Sequence, residues 1–142
     1  MLKAIIIDES AVARGLLNTV LTDGGYEVVA QAHTAHTGLV LLQKHKPQLL
    51  CIAREQIEDA ENIVEQVREH LPKTIVFMVS GAIDAPTLQA ALARGVNGFI
   101  VKPFKADAVL KTIRNTVIAT VKKQQAAPPG DAQPDSPSDA SR

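Results

Sequence analysis

The sequence is poor in the residue types that would indicate several common functions. Aromatic residues make up 3% of the chain and tryptophan is absent, so surfaces that stack nucleic-acid bases are not expected. The formal net charge is zero, which gives no overall attraction to nucleic acid or to anionic lipid. We therefore expect that the protein does not bind nucleic acid directly.

Long apolar runs and paired cysteines are also missing. The first apolar run ends at Asp8, which makes it too short for a signal peptide or a membrane span. This pattern predicts a cytoplasmic protein without membrane insertion. Cys51 is the only cysteine, so no intrachain disulfide can form. Its position inside an apolar run predicts a buried, unreactive thiol.

What the sequence does contain is a regular series of short apolar segments. The chain has 142 residues, of which 46% are hydrophobic, and this is enough for one domain with a real core. Five segments are predicted to be strands: Lys3–Asp8, Glu27–Ala32, Leu49–Ala53, Thr74–Ser80 and Gly98–Lys102. Several of them are continuous apolar runs, which is typical of a parallel sheet covered on both faces.

Helical patterns separate these strands. The predicted helices are Ser10–Asp23, Ala35–His45, Glu58–His70, Ala85–Arg94 and Ala106 to about Lys123. The first of these is expected to bury a stripe made of Val12, Leu16, Leu17, Val20 and Leu21. Alternating strands and helices indicate right-handed βαβ units. The prediction is an α/β fold, a (βα)5 doubly wound parallel sheet of five strands.

The end of the chain has a different composition. Residues 124–142 are rich in Pro, Ser, Asp, Ala and Gly and contain no large apolar side chain. Such a segment cannot bury enough apolar surface to fold by itself. We predict one domain over residues 1–123 followed by a disordered tail over residues 124–142.

Polar side chains follow three of the predicted strands. Asp8 and Glu9 follow the first, Ser80 ends the fourth, and Lys102 ends the fifth. In open α/β sheets, ligands bind beyond the carboxyl ends of the strands, so these side chains are expected to converge. Carboxylates suit Mg²⁺, whereas a hydroxyl and an ammonium suit the oxygens of a phosphoryl group. The set indicates a phosphoryl-binding site.

The same segments carry a family resemblance from about Leu2 to Lys123. The matching segments, in chain order, are AIIIDES, GYEVV, PQLLCIA, IVFMVSG and GFIVKPF. The most specific features are the Ser80-Gly81 pair and the Lys102-Pro103 pair, with Phe99 three residues before Lys102. The chain resembles the receiver domain of bacterial two-component response regulators, which has a flavodoxin-like fold.

The resemblance implies a role for each of these residues. Asp8 and Glu9 correspond to the acidic metal-binding positions, and Ser80 to the hydroxyl that follows the phosphoryl group. Lys102 corresponds to the cation that pairs with that group, and Phe99 to the switch aromatic. The family's phospho-accepting aspartate falls at the end of the third strand, where this chain has Ala53.

Ala53 changes the expected chemistry. A methyl group can neither attack a phosphodonor nor hold a metal ion. We therefore expect that no cofactor is required, that Asp8 and Glu9 bind Mg²⁺ weakly, and that Lys102 pairs with Asp8. The prediction is a single-domain, non-enzymatic receiver of a phosphorelay that acts through protein contacts without phosphorylation. The family's partner face implies contact through the fourth predicted helix, the fifth strand and the fifth helix.

Two alternatives remain open from the sequence. A slip of the third strand by two residues keeps the face of every side chain and would place Glu55 at the phospho-accepting position. The second alternative is a sensor of small anions that uses Ser80, Lys102 and Arg54. The sequence does not indicate whether the protein is a monomer or an oligomer.

Overall fold

The computed structural model describes residues 1–59 and 62–126. The strands are β1 (Lys3–Ile7), β2 (Glu27–Ala32), β3 (Leu49–Ala53), β4 (Ile75–Ser80) and β5 (Gly98–Val101). The helices are α1 (Ala11–Asp23), α2 (Ala35–His45), α3 (Arg54–Asp59), α4 (Ile63–His70), α5 (Ala85–Arg94) and α6 (Ala106–Ala126). In this part of the chain, no helix is long and apolar enough to cross a membrane.

The strands form one sheet in the order β2-β1-β3-β4-β5, and every neighbouring pair is parallel. Successive side chains of a strand point to opposite faces, so the sheet has two apolar layers. One layer joins Ile5 and Ile7 to α2, α3, α4 and α5. The other joins Ala4 and Ile6 to α1 and α6. The predicted doubly wound α/β fold is confirmed.

The region after β3 differs from its prediction. A single helix was expected over Glu58–His70, but the chain forms α3 directly after β3 and then a separate α4. Asn62 precedes α4 with a φ of 61°, in the left-handed region, which breaks the helical path. Tertiary contacts fix α3, because Ile57 is buried and the Gln56 side chain accepts a hydrogen bond of 2.8 Å from the Ala35 N–H.

The predicted buried stripe of α1 is confirmed at Leu17, Val20 and Leu21 but is wrong at Val12 and Leu16. Val12 is 73% exposed and Leu16 is 55% exposed, whereas Ala13, Leu17 and Leu21 are buried. The buried residues are four positions apart and form one row along the helix. The small side chain of Ala13 carries little hydrophobic signal, so the pattern favoured the larger neighbours. Val12 and Leu16 are instead an apolar part of the outer surface.

Element ends differ by small amounts. Asp8 and Lys102 lie just beyond β1 and β5, and Thr74 lies just before β4. Helix α6 continues three residues past Lys123 to Ala126. The predicted tail therefore begins within this helix, and residues 127–142 lie outside the described residues.

Cys51 lies in the middle of β3 and is fully buried. Burial raises the pKa of its thiol to about 12. At pH 8, only about one thiol in ten thousand would then be ionised. We expect no reaction of the folded protein with a disulfide reagent such as dithionitrobenzoate, measured by absorbance. The unfolded protein in guanidinium should release one equivalent of chromophore, and comparable labelling of both states would contradict the burial of this thiol.

Candidate functional site

The register of the sheet brings the end of β1 beside the end of β3. Ile7 pairs with Ile52 in this parallel arrangement, so the residues that follow them, Asp8 and Ala53, occupy equivalent positions at the carboxyl edge. Asp8 is 6% exposed and Ala53 is 1% exposed. The first two positions of the site are therefore a buried carboxylate and a buried methyl group.

The next two strands complete the row. Ala53 pairs with Val79 and Ser80 pairs with Val101, which puts Ser80 and then Lys102 beyond Ala53 along the same edge. The Lys102 N–H donates a hydrogen bond of 3.0 Å to the Ser80 carbonyl, and this contact fixes the turn after β5. The structure thus brings together the strand-end residues that the sequence singled out.

Both carboxylate oxygens of Asp8 have partners. Oδ2 lies 3.1 Å from the Lys102 Nζ, as predicted, and Oδ1 accepts a hydrogen bond of 2.9 Å from the Ser10 N–H. Ser10 also caps α1, because its Oγ accepts from the Ala13 N–H at 3.1 Å. The loop after β1 therefore holds Asp8 in one position.

The donor set does not fit a strong magnesium site. Glu9 is exposed, and Oδ2 of Asp8 is engaged by the Lys102 ammonium. Within residues 1–59 and 62–126, no three His, Cys, Asp or Glu side chains are grouped closely enough to hold a metal ion. Mg²⁺ prefers an octahedral set of oxygens and loses its waters reluctantly. Two carboxylates, one of them neutralised, offer little gain over water.

The Ser80 hydroxyl is engaged with its own loop. Ser80 Oγ donates to the Ala82 carbonyl at 2.9 Å, and the Ala82 N–H donates back to Ser80 Oγ at 3.2 Å. Ser80 is buried, so these contacts satisfy a hydroxyl that water cannot reach freely.

Arg54 reaches the same loop from the start of α3. Its Nη1 donates to the Ala82 carbonyl at 3.2 Å, and its Nε pairs with Glu58 Oε2 at 2.8 Å. The hydrogen bond with Glu58 raises the pKa of Arg54. The sequence left Arg54 as a candidate anion ligand, whereas the guanidinium joins α3 to the loop between β4 and α5. The four-residue spacing of Arg54 and Glu58 is the one local signal for this role.

A second arginine holds α3 from the other side. Arg94, at the end of α5, donates from Nη1 to the Ile57 carbonyl at 3.2 Å. It also makes a forked contact with Glu65 of α4, at 3.0 Å and 3.1 Å. Hydrogen bonding from Arg94 lowers the pKa of Glu65. The segment directly after Ala53 is therefore a fixed helix rather than an open loop.

Phe99 lies on β5, half-buried against the apolar layer that contains Ile5 and Ile7. It also lines a groove of about 340 Å³ between β5 and α6, together with Val101 and Pro103. The aromatic side chain is thus placed between the core and the outer surface at the edge of the sheet.

Comparisons with known proteins agree with this geometry. Residues 4–114 match the model of the response regulator receiver domain. Chemotaxis protein CheY of Bacillus subtilis is 28% identical over 116 residues, which are 81% of this chain and 97% of that protein. CheY of Listeria monocytogenes is 29% identical over 114 residues, covering 80% of this chain and 96% of that protein.

Solved structures show the same fold. CheY4 of Vibrio cholerae superposes with a TM-score of 0.74 at 26% identity, covering 82% of this chain and 98% of that one. NtrX of Brucella abortus, solved with ATP, superposes with a TM-score of 0.75 at 24% identity over 87% of this chain, but the match spans 28% of that longer protein. The parallel sheet, the row of polar strand ends and these matches together show that the chain belongs to the receiver domain family of two-component response regulators.

Proposed function

We propose that this receiver domain is a non-enzymatic signalling module that binds a protein partner without being phosphorylated at residue 53. The observation that carries the proposal is the Ala53 methyl group in the row of strand ends, between Asp8 and Ser80. An acyl phosphate forms only when a carboxylate oxygen attacks the phosphodonor. No atom of an alanine side chain can perform this attack.

The position of Glu55 supports this proposal over phosphorylation at a shifted site. Glu55 lies in the first turn of α3 and is exposed, and Ala53 is the residue that ends β3. A strand shifted by two residues would instead place Glu55 at the sheet edge beside Asp8. Neutralisation of Asp8 by Lys102 also leaves little negative charge to attract Mg²⁺.

The contacts of Lys102 and Arg54 argue against a sensor of small anions. Lys102 pairs with Asp8, and Arg54 pairs with Glu58 and the Ala82 carbonyl. An anion would have to displace these partners, each already well placed for a charge-assisted contact. Thermal melting in millimolar phosphate or sulfate should therefore show no concentration-dependent rise, which a ligand of the folded state would produce.

The partner surface proposed is the face formed by α5, β5 and α6, which corresponds to the face expected from the sequence. β5 is an edge strand, and Val101 at its end is 54% exposed. Leu92 of α5 and Ala119 of α6 line a groove between these two helices, beside the start of β5. Exposed apolar side chains beside an uncovered strand are suited to protein contact.

Incubation with acetyl phosphate and Mg²⁺, followed by intact-mass measurement, tests the proposal. The protein should keep its mass, because no carboxylate stands at residue 53. The matched control is Ala53→Asp, which should gain one phosphoryl group under the same conditions. A stoichiometric gain on the unmodified sequence would overturn the proposal, and mapping the modified residue would then identify the acceptor.

A further inference from the structure

The opposite edge of the sheet, where the strands begin, has a cationic groove. This groove has a volume of about 370 Å³ and is lined by Lys46, Pro47, Gln48, His70, Leu71, Pro72, Lys73 and Thr74. Lys46, His70 and Lys73 are exposed. Lys44 on α2 and Lys3 at the start of β1 are also exposed near this edge. We use the name amino-end groove for this groove together with the neighbouring Lys44 and Lys3.

The lysines of the amino-end groove have no carboxylate partner among the described residues. Ion pairs within 4.0 Å occur elsewhere in the described ranges, and the one that reaches the groove joins His70 Nε2 to Glu69 Oε1 at 3.9 Å. The residues that line the groove include Lys46 and Lys73 and no carboxylate, so the groove has an excess of positive charge in a chain whose formal net charge is zero. The compensating negative charge must lie in another part of the chain.

Helix α6 carries the chain to this edge. It starts beyond the carboxyl end of β5 and runs back along the sheet, so that Lys123 lines a groove with Arg68 and Asn97, just before β5 begins. Arg68 donates a hydrogen bond of 3.1 Å to the Pro72 carbonyl, next to Lys73. The end of α6 and the amino-end groove are thus separated by a single arginine side chain and its loop.

The segment that follows α6 has the opposite charge. Residues 127–142 contain Asp131, Asp135 and Asp139 but no lysine, and the one basic residue is Arg142. An extended chain spans at most about 3.3–3.6 Å per residue, so Asp131 can lie up to about 17 Å from Ala126. Asp135 and Asp139 follow four and eight residues later and can reach farther still.

We propose that residues 127–142 dock in the amino-end groove of the same molecule, with their aspartates facing its lysines. Tethering favours this contact, because a covalent link between the two partners gives an effective concentration of about the millimolar range. The bound segment would cover the basic surface and exclude other polyanions from it. This contact does not depend on the chemistry of residue 53, because the groove and the row of strand ends lie at opposite edges of the sheet.

The test compares amide ¹H–¹⁵N NMR spectra of the full chain and of its triple variant Asp131→Asn, Asp135→Asn and Asp139→Asn. The variant removes the charge and keeps the length and shape of the segment. We expect shift differences at Lys46, His70 and Lys73, and none at Asp8 or Ser80, which lie at the other edge. The differences should disappear in 1 M NaCl, where the Debye length is about 3 Å.

A second pair of variants keeps the test decisive. In the background Lys46→Glu and Lys73→Glu, the same three Asp→Asn changes should no longer alter the groove amides, because the partner charges have gone. Identical groove spectra for the unmodified chain and the triple variant would overturn the proposal. Shift differences that grow with protein concentration would also overturn it, since they would indicate docking between two copies.

Discussion

Replacement of Lys102 by methionine is expected to lower the free energy of unfolding by about 2–3 kcal/mol at neutral pH. The variant leaves the buried Asp8 carboxylate without its ion-pair partner, although the Ser10 N–H still donates to it at 2.9 Å and the Arg14 guanidinium donates to the Asp8 backbone carbonyl at 2.6 Å. The expected loss is smaller than the roughly 3–5 kcal/mol for breaking a fully buried pair, because 31% of the Lys102 side chain is exposed. Urea unfolding followed by circular dichroism measures the change.

Two controls separate the ion pair from the general loss of a lysine. The double variant Asp8→Asn with Lys102→Met removes both charges and should recover most of the lost stability. Lys105→Met removes an exposed lysine from the same loop and should change stability by no more than about 0.5 kcal/mol. If Lys102→Met and Lys105→Met have equal effects, the Asp8–Lys102 pair does not stabilise the fold.

Replacement of Ala53 by aspartate should make the stability of the protein depend on Mg²⁺. The new carboxylate would lie beside Asp8 at the sheet edge, where the two charges repel and compete for Lys102. Without metal, we expect the variant to melt at a lower temperature than the unmodified protein. Three acidic side chains then form a hard-oxygen site, and Mg²⁺ at 100 times its dissociation constant would add about 2.7 kcal/mol.

The matched control for this experiment is Ala53→Asn, which has nearly the same shape as the aspartate but no charge. Its melting temperature, like that of the unmodified protein, should be insensitive to Mg²⁺. An equal rise in all three proteins would mean that Asp8 and Glu9 already form a working metal site. That result would contradict the weak binding inferred from the contact between Asp8 Oδ2 and Lys102 Nζ.

The parts of the structure that the sequence predicts correctly are those with strong local signals. The runs LLCIA and IVFMVS are buried on both faces, and continuous apolar runs are the pattern that a covered parallel strand requires. The row formed by Asp8, Ser80 and Lys102 follows, because the carboxyl ends of parallel strands meet at one edge. Neither conclusion needs knowledge of distant contacts.

The parts that it misses depend on residues far apart in the chain. Arg94 is 37 residues from the Ile57 carbonyl that it contacts, and Gln56 is 21 residues from the Ala35 N–H. The six residues of α3 include one strongly apolar side chain, Ile57, so no helical period is visible there. The formation and length of α3 depend on these tertiary contacts, which override the local helix propensity of its residues.

The Ala82 carbonyl accepts two hydrogen bonds, and this limits how the partner surface could respond to a signal. Two donors, Ser80 Oγ and Arg54 Nη1, converge on this one oxygen and favour a single arrangement of the loop that leads into α5. A surface with one arrangement has one affinity for its partner, because a signal acts only through a difference between states. On the proposed function, the occupancy of the complex would follow the amounts of the two proteins. The cell would then adjust the output through synthesis and degradation, on the timescale of protein turnover rather than of a chemical modification.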